Sequence, residues 1–455
     1  MSSTVLTRPA RRRLASLLLS LGLVACGGGG DSGGSCSIPD QQAWLSGYMS
    51  DWYFWTSLSP HPEPAGYSSV ASYYAALLYT GSNAAFPADR WSNVQSSEAF
   101  SRFFGDGATL GYGLSVAGLE LARNAALPLY VRHVEALSPA AAQGVKRGDQ
   151  VMSINGRSAA DLIGADDFSA LTPAQAGDAV NLVLRRAGAE RTVQLTAAVF
   201  NLSPVSGAAV QTTTGGRKLG YVTVKDMVNQ ALSPFDAAMT SFKAAGVQDV
   251  VLDLRYNGGG LVSTGATLSS YLAGSRGTGL NYATLKFNSA HQASNSNYRF
   301  SNPSAALSLP RVIVLMGRRT CSASEQVING LRGAGVQVVA IGETTCGKPV
   351  GFQPTAYCGQ NYSAVNFESV NHLDQGRYFS GFTPTCAVAE DFTVPQGSTA
   401  DPLMAAARTV ADTGACPLTA DGQRSPLAAR GDGDVPVSRV RPLSEGDPRP
   451  GMIPH

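Results

Sequence analysis

The residues best suited to chemistry lie between Thr320 and Lys348. Thr320-Cys321-Ser322-Ala323-Ser324-Glu325 opens the stretch and Cys346-Gly347-Lys348-Pro349 closes it. A serine hydroxyl beside exposed backbone N–H groups offers acyl transfer both a nucleophile and an oxyanion site, and a lysine can supply the base. The elements that must position these groups are legible around them. Val312-Ile313-Val314-Leu315-Met316 is too short for a soluble helix and rich in β-branched residues, so it reads as a buried strand. The serines therefore fall at a strand-to-helix turn. From Glu325 the spacing of Val327, Ile328 and Leu331 is helical, Gly333 and Gly335 stop it, and Val336 to Ile341 reads as the next buried strand, with Lys348 beyond its end.

Ser322-Ala323-Ser324-Glu325 also fits a capping box, in which the serine and the glutamate three residues on satisfy open N–H groups. Capping and chemistry can coexist if the two serines divide the tasks. A lysine acts as a base only when neutral. With a reference pKa of about 10.4 it would be deprotonated in under roughly one molecule in a thousand at neutral pH. An apolar pocket can lower that value by about 3–5 units. The sequence thus demands a buried Lys348 close to Ser322; the competing account of a lone lysine after a strand is a solvated charge.

These residues resemble the carboxy-terminal-processing (tail-specific) serine peptidases, which carry Ser-Ala-Ser-Glu and a Gly-Lys base. In that family the lysine follows the nucleophile by about two dozen residues, which points to Ser322 as nucleophile and Lys348 as base, with Ser324 the second choice. The family's phenylalanine before Gly-Lys is Cys346 here. A supporting glutamine usually stands four residues after the lysine, whereas Gln353 stands five after. Asp253-Leu254-Arg255-Tyr256-Asn257-Gly258-Gly259-Gly260 matches every fixed position of the family's Asp-Leu-Arg-x-Asn-x-Gly-Gly segment. Glycines there let a backbone approach closely, so Gly259 or Gly260 is expected to give one oxyanion donor and Ala323 the other. Asp253 and Arg255 read as a structural polar pair. Tyr378 to Pro384 and Asp401-Pro402-Leu403 also resemble the family's closing segment.

At 455 residues and a formal net charge of +2, the chain suits two or three domains and suggests no nucleic-acid partner. Arg8, Arg11, Arg12 and Arg13 precede an apolar run from Leu14 to Ala25, too short to span a bilayer comfortably, so residues 1–25 read as a secretory signal. Leu23-Val24-Ala25-Cys26 resembles a bacterial lipobox, which implies lipidation at Cys26 and a membrane anchor in the cell envelope, facing the periplasm; an ordinary signal peptide is the alternative. Gly27 in place of aspartate is compatible with outer-membrane sorting. Residues 26–38 form a glycine-rich tether. Removing Cys26 from the seven cysteines leaves six, Cys36, Cys321, Cys346, Cys358, Cys386 and Cys416, and one to three disulfides are expected in an exported chain without a fixed pairing. No cysteine cluster has zinc spacing, and neither metal nor organic cofactor is called for.

Residues 39–103 place Trp44, Met49, Trp52, Tyr53, Trp55, Tyr73, Tyr74, Leu77 and Leu78 at helical spacing, a small helical domain packed on its aromatic face. Residues 104–200 change to short strands and turns. Val145-Lys146-Arg147-Gly148-Asp149 and Ile154-Asn155-Gly156 resemble a PDZ domain, which implies β-addition of a peptide carboxy terminus with the carboxylate at a glycine loop; Gly111, Tyr112, Gly113 and Leu114 are the candidate loop. His61 and His133 read as structural.

Residues 201–416 alternate strands and helices, an α/β core for which the resemblance implies the crotonase/ClpP-like arrangement of repeated ββα units. Residues 417–455 are proline, glycine and charge without periodicity, a disordered tail whose last residues, Met452-Ile453-Pro454-His455, make a poor strand.

None of the five histidines stands in a recognisable motif, and neither Gly-x-Ser-x-Gly nor Ser-x-x-Lys occurs around Ser322. Two functional readings follow: a lipid-anchored serine endopeptidase acting on exported proteins with accessible carboxy termini, or a binding scaffold of the same fold that has lost proteolysis.

Overall fold

The computed structural model describes residues 35–117, 128–418 and 452–453. The signal segment, Cys26 and the tether as far as Gly34 lie outside the described residues, as does most of the stretch from 419 onward. Among the described residues no helix is long and apolar enough to cross a membrane.

A six-stranded sheet runs in the order Val205–Thr212, Lys218–Val224, Asp249–Asp253, Arg311–Met316, Gln337–Gly342 and Cys386–Ala387. The first pair is antiparallel and the rest parallel. Parallel strands are covered on both faces, which explains the unbroken apolar runs. Alternate residues divide between two layers: Val250, Leu252, Val312 and Val314 pack with the helices Leu232–Ala245, Val262–Ala273 and Ala323–Gly333. Val251, Ile313 and Leu315 pack with the helix Pro402–Thr413. Strand–strand–helix units recur, as in Val205–Thr212, Lys218–Val224 and Leu232–Ala245 and again in Asp249–Asp253, Gly260–Leu261 and Val262–Ala273.

The second unit sends its short strand Gly260–Leu261 into another six-stranded sheet, followed by Met452–Ile453, Val350–Phe352, Val365–Val370, Asn281–Phe287 and Ser296–Arg299. Met452 and Ile453 correct the expectation of a poor strand. Both are buried, Met452 paired on both sides and Ile453 on one, an arrangement their sequence does not announce because the partner strands supply the order.

The aromatic residues of the N-terminal helices Ile38–Trp52 and Val70–Leu77 do not close on themselves. Tyr53, Trp55, Tyr73, Tyr79 and Trp91 form one cluster with Val350, Phe352, Tyr362 and Val365 of the α/β half. The strand Asn93–Ser96 pairs with Gln360–Ser363, and a Cys36–Cys358 disulfide ties the start of the first helix to the same region. A further disulfide joins Cys386 and Cys416.

The PDZ-like region is a separate sheet of Leu114–Ala117, Leu129–Val134, Gln150–Ile154, Ala179–Arg186 and Ala189–Thr196 around its own apolar core. Arg147 clasps this region to the α/β half. Its guanidinium donates to Glu390 (2.9 Å), the Tyr256 hydroxyl (2.6 Å) and the carbonyls of Val394, Asp391 and Arg132. Arg147→Ala should leave those acceptors half-satisfied at a cost of about 2–3 kcal/mol. The effect is expected as faster amide exchange across residues 253–260 with the PDZ-like sheet unchanged; equal exchange in both proteins would remove the clasp.

Candidate active site

The Ser322 turn is built from the ends of two parallel strands. After Asp253 the chain turns, and Leu254 and Leu315 stay paired through a backbone hydrogen bond of 2.9 Å. Asn257 then organises the turn from a fully buried position. Its Nδ2 donates to the Val224 carbonyl (3.0 Å), and its Oδ1 accepts the Gly259 N–H (2.9 Å). Its own carbonyl accepts the Cys321 N–H (3.1 Å) and the Ser324 hydroxyl (3.0 Å).

That last bond separates the two serines. Ser324 Oγ is committed to fixing the glycine turn, which removes it as the second-choice nucleophile. Ser322 Oγ is buried; it takes the capping-box place by the Glu325 N–H that the sequence suggested, but makes no hydrogen bond of ordinary geometry among the described residues. The residue sits at φ 61°, ψ −118°, a conformation that costs an L-residue about 1–3 kcal/mol. Such strain persists where the surroundings enforce it, as at a nucleophile turn. Ala323 begins the helix, so its N–H has no intrahelical acceptor.

Gly259 lies against this turn so closely that a Cβ there would stand 3.0 Å from both the Ala323 nitrogen and the Ser322 Cβ, and its φ is +107°. Its N–H, however, already serves Asn257. This corrects the expectation that either glycine could donate to an oxyanion and leaves Gly260 as the glycine to consider.

Glu325 joins the serine turn to the lysine loop. Its Oε2 accepts the N–H groups of Ser322 (2.9 Å) and Lys348 (2.8 Å), and its Oε1 accepts Gly347 N–H (2.8 Å) and Thr345 Oγ1 (2.5 Å). Burial pushes its carboxyl above the ordinary glutamate value, against the pull of those donors. Sequence reasoning found this residue only as a cap, because its second set of partners lies in a distant loop. The Cys321–Cys346 disulfide, with Cα atoms 5.2 Å apart, staples the same two segments. Arg90 reaches in from the N-terminal region to the Cys346 carbonyl at 3.2 Å. Phe382 clasps the loop from outside, its N–H donating to Thr345 Oγ1 at 2.7 Å.

Lys348 is 4 % exposed, with its ammonium nitrogen 4.0 Å from the centre of the Phe352 ring. Gln353 points elsewhere: it is exposed, and its backbone N–H donates to Asn366 Oδ1 (2.6 Å), so it does not support the lysine. The extra residue between Lys348 and this glutamine places it one residue past the end of the strand Val350–Phe352. Asp253 and Arg255 form a buried network in which Arg255 Nη2 meets Asp253 and Asp401 at 2.6 Å each. These contacts anchor the strand end, as the sequence suggested.

Opening the disulfide tests how much it adds to Glu325. The paired Cys321→Ser and Cys346→Ser chain should lose about 3 kcal/mol of stability by the loop-entropy account, read as a lower denaturant midpoint. An unchanged midpoint would mean that Glu325 alone joins the loops.

Gly111, Tyr112, Gly113 and Leu114 line a separate cleft together with His133, Glu135 and Phe200. Gly113, at φ +78°, packs where a Cβ would come within 1.9 Å of Ser138 Cβ, and its carbonyl accepts the Glu135 N–H at 2.8 Å. Tyr112 is buried in the core of the PDZ-like region. Glu135 brings an acidic group to this cleft. Burial opposes its ionisation, but the hydrogen bond from His133 (3.2 Å) helps hold its carboxyl below the ordinary glutamate value.

A strained serine at a helix start, an amine loop stapled beside it and a glycine turn against both define a hydrolase-type site on an α/β core. Residues 218–388 match the model of peptidase family S41, residues 110–197 a PDZ domain, and residues 40–93 the S41 N-terminal domain. The chain therefore carries a peptidase family S41 domain, an S41 N-terminal domain and a PDZ domain. It is 29% identical over 221 residues to the chloroplastic C-terminal processing peptidase of Tetradesmus obliquus, a match covering 46% of each chain. It is 27% identical over 213 residues to the carboxyl-terminal-processing protease of Picosynechococcus sp., covering 46% of this chain and 48% of that one. The matches thus span about half the length of these curated relatives. An S41 protein from Bacteroides fragilis shares the fold, with a TM-score of 0.63 at 24% identity over 81% of this chain and 96% of that one.

Proposed function

We propose that the chain is a serine endopeptidase in which Ser322 attacks the scissile carbonyl while Lys348 takes its proton and returns it to the leaving amine. The observation that carries this reading is Ser322 itself, buried and strained, with a hydroxyl that sits in the capping-box position yet makes no full hydrogen bond, while its neighbour Ser324 makes one. The lysine amine must be uncharged when it receives the proton. Its nitrogen lies over the Phe352 ring on a residue only 4 % exposed, and Glu325 accepts the lysine's backbone N–H. The N–H groups of Ala323 and Gly260 are assigned to the oxyanion, where losing one donor typically slows catalysis by about 10²–10³.

The substrates are exported proteins with accessible carboxy termini, delivered by the PDZ domain. Lipidation of Cys26 would hold the enzyme at the cell envelope, with its domains facing the periplasm. Incubation of the full chain with an unfolded exported protein should give discrete peptides by mass spectrometry. Undiminished cleavage by the Ser322→Ala chain would overturn the mechanism. The scaffold reading gains no observation of its own here.

A further inference from the structure

The groove beside Ser322 is filled by the chain itself. Met452–Ile453 runs parallel to Gly260–Leu261 on one side, in the register Gly260 to Met452 and Leu261 to Ile453. On the other side Met452 pairs, again parallel, with Gly351 of the strand Val350–Phe352. The first edge begins one residue after Gly259, which touches the Ser322 turn, and the second begins two residues after Lys348. The segment therefore bridges the two strands that carry the two halves of the site.

The fit is specific to a backbone. Strands in one sheet lie about 4.8 Å apart, so the two edges are separated by the width of one strand. A Cβ on Gly351 would lie 2.5 Å from the Met452 carbonyl oxygen, so only glycine admits the segment there. Met452 is fully buried in the apolar cluster that also holds Ala323, Val327, Met227 and Tyr282, and Ile453 is 3 % exposed. Ser322 has no exposed surface in this arrangement. A substrate carbonyl cannot reach its hydroxyl until something moves, and the paired segment lies on the strand edge that begins beside the Ser322 turn.

We propose that Met452–Ile453 is a tethered pseudosubstrate that occupies the peptide groove by β-addition and must leave before an extended substrate can enter. This rests on the peptidase reading for its consequence but not for its binding test. A segment on the same chain meets its groove at an effective concentration on the order of 1 mM. If the free peptide bound at about 100 µM, the groove would be open in roughly one molecule in ten, and release would raise the rate about tenfold.

The test uses the full chain. A labelled peptide of residues 446–455 is titrated by fluorescence anisotropy against a Ser322→Ala chain and against a Ser322→Ala, Met452→Asp chain. At least about tenfold tighter binding to the second is expected, because the aspartate cannot stay in the apolar cluster. In parallel, a site-specific protease sequence inserted between residues 419 and 450 lets the segment be cut free after the otherwise wild-type chain has folded. Cutting and desalting should raise peptide-hydrolysis rates about tenfold, and adding the peptide back should reverse the gain competitively. Equal peptide binding by both chains, or no binding to the cut and desalted protein, would overturn the proposal. If neither the cut nor the uncut chain hydrolyses anything, the peptidase reading fails, while the anisotropy comparison still decides the occupancy.

Discussion

Ser322→Ala should lower kcat/KM by on the order of 10⁴-fold or more without lowering stability. The hydroxyl makes no full hydrogen bond, and only its capping-box place by the Glu325 N–H ties it to the fold, so its removal takes away a buried polar group at little cost. An unchanged or raised denaturation midpoint is expected together with the lost activity, a combination that a structural serine would not give. Lys348→Ala should remove a similar amount of activity, and the double variant should be no worse than either single one, because nucleophile and base act as a unit. The sharper variant is Lys348→Arg. Guanidinium keeps charge and length but stays protonated, so it cannot accept the serine proton. Measured rates for Lys348→Arg within tenfold of the wild type would show that the amine acts as a positive charge and not as a base.

Much of this site was legible because its elements are local. The apolar run ending at Met316 and the helical spacing after Glu325 place Ser322 at a turn with no knowledge of the rest of the fold. The glycines after Asn257 likewise announce a close approach, and the structure brings Gly259 against Ala323. What sequence could not assign were pairings across distance. Asn257 looks like a turn residue, yet its side chain takes the Gly259 N–H that the turn seemed to offer to substrate. Cys321 and Cys346 are two of six interchangeable cysteines until the fold places their Cα atoms 5.2 Å apart. Gln353 stands one residue past the end of the strand Val350–Phe352, where its side chain is exposed. Met452–Ile453 carries almost no strand signal of its own. Two waiting edges impose its conformation.

Glu325 is where the second large effect is expected, and it separates positioning from chemistry. Its two oxygens accept four hydrogen bonds that come from both loops of the site. In Glu325→Gln one oxygen becomes an amide NH₂, which must face either the Ser322 and Lys348 N–H groups or the Gly347 N–H and Thr345 hydroxyl. Buried donors then confront donors. At about 1–3 kcal/mol for each unsatisfied group, the variant should lose on the order of 3 kcal/mol of stability. A displacement of about 1 Å between reacting groups can cost about 10²-fold in rate, so kcat should fall by that order while KM for a peptide substrate changes little. Glu325→Asp keeps the charge but shortens the arm by one methylene and can reach only one loop, so it should recover stability better than rate. Thr345→Val leaves the carboxylate in place but removes one donor to it and the acceptor of the Phe382 N–H, so its loss should stay near about 1–2 kcal/mol. If Glu325→Gln raised KM and left kcat intact, the carboxylate would belong to substrate binding, and the alignment of Ser322 with Lys348 would have to come from the disulfide alone.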